Sequence, residues 1–63
     1  MIYIATRKLV LMGQIYDPGD EIEPDGLDHD LEVIYLARQF MLPVGGEEAL
    51  DDELYLEVME ARD

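Results

Sequence analysis

The 63-residue chain contains no cysteine, no serine and a single histidine, His29. With no thiols, no disulfide can brace the fold, and neither a thiolate nucleophile nor a thiolate metal ligand is available. With no serine hydroxyl and one imidazole, Ser/His and Cys/His mechanisms are excluded by inventory. His29 lies between Asp28 and Asp30, where a histidine is ordinarily a solvated helix-start residue, and three adjacent residues cannot all face one metal ion. The sequence also lacks any run of about 20 apolar residues, so no membrane-spanning helix is expected. Met1–Ala5 is apolar but has neither a basic start nor a cleavage pattern, which argues against a signal peptide. One small domain remains, with 49% hydrophobic residues. Most of the large ones must be spent on a core expected to leave only about 3–5 kcal/mol of stability. Such domains lean on partners or on self-association and have no room for a substrate cleft walled on all sides. No enzymatic activity, cofactor or metal is expected.

Positive charge is the other scarcity. Four Lys+Arg stand against 16 Asp+Glu, a net charge of −12. Residues 1–16 carry Arg7 and Lys8 and no acid, whereas 17–63 carry every Asp and Glu with only Arg38 and Arg62 among them. No cationic patch exists to displace counterions from a phosphate backbone, which argues against direct nucleic-acid binding. The expected partners are basic protein surfaces, found through a salt-sensitive attraction.

The most legible stretch is Gly13 to Ile22, which reads as two turns in a row. Gly13 can take positive φ and close a hairpin between Leu9–Leu11 and Gln14–Tyr16, through Met12-Gly13 as type I′ or Gly13-Gln14 as type II′. Pro18-Gly19 supplies the fixed φ and the positive φ of a type II turn from Asp17 to Asp20. Upstream, Met1 to Met12 fits a strand with Ile2 and Ile4 on one face and a bulge near Thr6 to Lys8, or else a terminal arm reaching into a neighbouring subunit. Downstream, Ile22 between Glu21 and Glu23 makes a half-buried edge strand ended by Pro24. Tyr16 and Phe40 are expected in the core.

Asp28 is a helix cap, with Asp30 and Glu32 in a first turn where the dipole favours anions. The helix is expected over about 28 to 40, apolar nearly all round and stopped by Pro43, with a short strand at 42–44. After a Gly45-Gly46 hinge, Leu50, Leu54, Val58 and Ala61 follow helical spacing from about 47 to 61, with a strand at 54–58 as the rival. The fold class is α+β: a small three-stranded antiparallel β unit followed by two helices. Residues 1–44 form the core, and 45–63 form an acidic C-terminal tail of the same single domain.

The acids at Glu21, Glu23, Asp25 and Glu32 with Gly26 reproduce EF-hand spacing, but the leading Asp is absent, Pro24 interrupts and a strand enters. Turn plus helix cap is the preferred reading. Tyr side chains are enriched at interfaces, and Tyr35 and Tyr55 are the interface candidates among them. Together with Ile2, Ile4, Leu50, Leu54 and Val58 they form the expected partner-binding set, while Gly13, Pro18 and Gly19 are the structural turn residues.

The stretch Lys8-Leu9-Val10-Leu11-Met12-Gly13-Gln14-Ile15-Tyr16-Asp17-Pro18-Gly19-Asp20-Glu21-Ile22, followed by an acid-capped helix, resembles short proteins that tailed bacteriophages encode among their head and connector genes. Those share a basic strand, an Asn-Gly turn, a Tyr, a Pro-Gly-Asp turn and a helix, and the resemblance covers roughly residues 7 to 44. Met12 departs from the usual Asn, and the tail after Gly46 looks like an addition. The resemblance implies a virion or assembly component, present in the particle and in the host cytoplasm during assembly. Its partners would be capsid or connector proteins, with homo-oligomerisation open. The competing expectation, from charge alone, is an acidic inhibitor that mimics DNA in the basic groove of a nucleic-acid enzyme.

Overall fold

The structure is a computed structural model and describes residues 2–62. Met1 of the expected first strand and Asp63 of the expected tail lie outside the described residues. The fold is α+β, with two antiparallel sheets and two helices. The strands are β1 (Tyr3–Ala5), β2 (Leu9–Leu11), β3 (Gln14–Tyr16), β4 (Glu21–Ile22) and β5 (Met41–Pro43). The helices are α1 (His29–Ala37) and α2 (Asp52–Arg62), with a 3₁₀ turn at Glu47–Ala49.

The expected β unit is rearranged. β2 and β3 form a separate two-stranded hairpin, while the three-stranded sheet has the order β4-β1-β5 with β1 in the centre. Met1–Met12 is therefore not one strand. At Thr6 to Lys8 the chain leaves the first sheet, which frees the adjacent cations from having to share a pleated surface. Arg7 turns its guanidinium over the Phe40 ring at 4.7 Å, and Thr6 Oγ1 donates to the Gln39 carbonyl at 2.6 Å.

Register places Tyr3 opposite Ile22 and Pro43, and Ile4 opposite Glu21 and Leu42. Side chains alternate across a strand, so Tyr3 and Ala5 face the core, and Ile2 and Ile4 face outward. Both sets are apolar, and the inward one is the set that meets Ile22, Met41 and Pro43. The buried aromatic is Tyr3, whereas Tyr16 and Phe40 are half-buried against the core.

The hairpin closes through Met12 and Gly13, with φ of 50° and 76°, the two positive values of a type I′ turn. At Pro18-Gly19 the chain turns as expected, with Gly19 at φ 92°. Gly19 N–H donates to the Ala5 carbonyl at 2.8 Å, and Ala5 N–H donates to the Asp20 carbonyl at 3.0 Å. This turn thereby carries β4 to β1 rather than to β3. A Cβ at Gly19 would meet nothing within 4 Å, so the penalty of a β-carbon there is conformational. Gly19→Val will lose about 1–3 kcal/mol through the positive φ. Asp20→Ala, which removes the 2.8 Å bond that its carboxylate accepts from Asp17 N–H, will lose about 1 kcal/mol. Thermal melts check the order, and equal melting temperatures would refute it.

Asp28 caps α1 by accepting from Leu31 N–H at 3.4 Å. The helix buries Leu36 and leaves Leu31 and Ile34 exposed. It ends at Ala37, earlier than expected and without Pro43: Gln39 takes φ 60°, Gln39 N–H donates to the Leu36 carbonyl and Phe40 N–H to the Tyr35 carbonyl. That is a Schellman turn made with glutamine instead of glycine. It starts β5 at Met41, one residue before the expected strand.

The expected second helix is broken. Leu50 leaves the 3₁₀ turn with ψ 145°, and Asp51 restarts the chain as a cap, accepting from Leu54 N–H at 2.9 Å. Residues 54–58 are helical, not a strand. Beyond the Gly45-Gly46 hinge the chain rejoins the body, because α2 packs on α1 and both Leu50 and Val58 are buried in the core. Arg62 fastens the two helices, donating to the Ala37 carbonyl at 3.1 Å and the Leu36 carbonyl at 3.2 Å and pairing with Glu47.

Candidate functional site

The residues expected to bind a partner divide in two. Leu50 and Val58 are buried and Leu54 is half-buried, so the stripe expected to enter a partner's groove already sits against the chain's own core. Tyr35 is also engaged, its ring 5.7 Å edge-on from Phe40. Ile2 and Tyr55 remain exposed, and Ile4 is half-buried. Ile4 stands opposite Leu42 across the sheet, and just beyond it Val44 N–H donates to the Ile2 carbonyl at 3.0 Å.

The most exposed apolar pair is one that sequence reasoning did not single out. Val10 and Ile15 are cross-strand partners on the hairpin and are 63% and 65% exposed. Their neighbours Leu9 and Leu11 face the core, so alternation forces Val10 out. The available signal was the unbroken Leu9-Val10-Leu11 run itself, since a hairpin with one buried face cannot hide three consecutive residues. Beside the hairpin, Met12, Gln14, Tyr16, Glu23 and Asp25 line an open hollow of about 270 Å³. Tyr16 donates its hydroxyl to Gln14 Oε1 at 3.1 Å.

A polar chain links β1, α1 and α2. Tyr3 donates to Glu32 Oε2 at 2.6 Å, His29 Nδ1 lies 4.0 Å from Glu32 Oε1, and His29 Nε2 lies 2.8 Å from Glu57 Oε2 on α2. Glu32, the last acid of the EF-hand spacing, is thus committed to Tyr3. Among the described residues, no three His, Asp or Glu side chains converge as metal ligands.

The hydrogen bond to Glu57, followed by the charges of Glu57, Glu32 and Asp30, holds the His29 pKa above its ordinary 6.5. A raised folded pKa stabilises fully below the unfolded value, and the contribution is lost as pH rises through the folded one. The wild type will therefore lose its melting-temperature advantage over His29→Gln as pH is raised from below the ordinary histidine value through the raised one. A constant difference across that window would show that the contact does not form in solution.

The chain matches no protein family, curated protein or solved structure at a significant level. No helix among the described residues is long and apolar enough to cross a membrane.

Proposed function

We propose that the protein is a non-enzymatic structural component of a tailed-phage virion, docking on the capsid or neck and reinforcing it through protein contacts. The observation that carries this reading is the exposed Val10–Ile15 pair. Two β-branched side chains left uncovered side by side on a hairpin favour a docking surface over a solvated one. The pair lies inside the stretch from Lys8 to Ile22 that resembles the phage proteins.

The acidic exterior supports a basic partner. Asp30 on α1 and Asp52, Glu53 and Glu60 on α2 are exposed, and such a field speeds encounter with cationic surfaces. The same acids would also serve a DNA mimic. Copy number in purified particles separates the two readings: a fixed, symmetry-compatible number per virion is expected of a docked component. Absence from particles together with capture of a basic nucleic-acid enzyme would replace the proposal with the mimic. Association with the partner should slow steeply as salt is raised.

A further inference from the structure

We infer that the open edge of β3 accepts an extended basic segment of the partner, which adds to the hairpin as a third strand. The inference takes the docking reading above as its premise and gives the partner's chemistry.

Hairpin geometry supplies the first half of the argument. Leu11 and Gln14 flank the two-residue turn and so form the hydrogen-bonded pair that closes it, as do Leu9 and Tyr16 one alternation further on. Val10 and Ile15 are the intervening non-hydrogen-bonded pair, whose amides and carbonyls point away from the partner strand. Among the described residues, no backbone bond from outside the hairpin reaches Ile15. β3 therefore presents a free donor and acceptor at its outer edge, the template on which an added strand forms.

The second half is what surrounds that edge. The walls of the hollow come from Gln14 and Tyr16 of β3, from Met12 at the turn, and from Glu23 and Asp25 just after β4, with none from β2. It offers two carboxylates, an aromatic ring and an amide oxygen, and no cation lines it. An ammonium or guanidinium group suits that lining, through charge and through the face of Tyr16. A strand laid along β3 places alternate side chains on opposite faces. One set enters the hollow, and the other extends the Val10–Ile15 strip. The added segment thus alternates basic and apolar residues. Val10 and Ile15 alone fall far short of the roughly 1,200 Å² of a stable interface, and the main-chain bonds with the filled hollow supply the remainder. A second copy of this chain does not fit, since its only basic pair, Arg7 and Lys8, is adjacent rather than alternating and lies outside the strands.

The test is titration of a capped Arg-Val-Arg-Val-Arg peptide into the intact ¹⁵N-labelled protein, followed by amide shifts. Shifts are expected at Ile15, Tyr16, Glu23 and Asp25. The combined exposed-site variant Glu23→Gln/Asp25→Asn should bind about tenfold more weakly or worse, with an otherwise unchanged spectrum. Methylating the peptide amides that face β3 should abolish binding. Shifts confined to α1 and α2, equal affinity of the methylated peptide, or no binding at millimolar peptide would each overturn the inference. Particle copy number tests the premise separately, so a virion protein that ignores the peptide docks by another face.

Discussion

Val58→Asp will leave the purified chain without a cooperative thermal transition. Val58 of α2 is 0% exposed, and its core companions include Tyr3, Ile22, Leu36 and Met41. Burying a carboxylate with no partner costs several kcal/mol even after relaxation, which is the whole of the roughly 3–5 kcal/mol expected of so small a domain. Leu56→Asp, two residues away and 60% exposed, should stay within about 0.5 kcal/mol of wild type. Circular-dichroism melts of the two variants decide the matter. Similar melts would mean that α2 does not belong to the core in solution.

Tyr3→Phe will cost about 1.5–3 kcal/mol at neutral pH, the range for a hydrogen bond to a charged group. The ring is 1% exposed, so phenylalanine keeps the packing and removes only the donor to Glu32. Burial first, then the bond to Glu32 and its charge, push the Tyr3 hydroxyl well above its ordinary 10.0. With the folded pKa raised, the contribution is intact below the unfolded value and is lost as pH climbs toward the folded one. Denaturant midpoints of the two proteins should therefore converge above about pH 10. A gap that stays constant to high pH would show that Tyr3 does not donate to Glu32.

The features legible in the sequence are those that local chemistry decides. Pro18-Gly19 can do little but turn, Gly13 closes the hairpin, and Asp28 offers a good cap before an apolar helix. What was not legible depends on distant partners. Nothing near Tyr3 tells that its neighbours are Ile22 and Pro43, and Ile2, Tyr3 and Ile4 are apolar on both faces, so the facing of β1 has no local sign. Gln39 is not a residue that announces a helix end, yet its positive φ ends α1 and aims Phe40 into β5. Asp51 is a good cap set beside an equally good one, Asp52, among the acids between Glu47 and Glu53. The site divides in the same way: the helical spacing of Leu50, Leu54 and Val58 marked them as contact residues, but spacing does not distinguish a partner's groove from the chain's own.

The central position of β1 fixes an order of events. β2 and β3 are joined by two residues and can meet in about 1–10 μs. β1 must wait for β4, about a quarter of the chain away, and for β5, more than half of it away. Loop closure over such distances is slower and is rewarded only when the contacts are complete. Because synthesis runs from the N terminus, β1 is made before either of its sheet partners. Until residue 43 has emerged, Tyr3 and Ile4 stand with at least one edge bare, and through that interval β1 is the segment most open to wrong pairing.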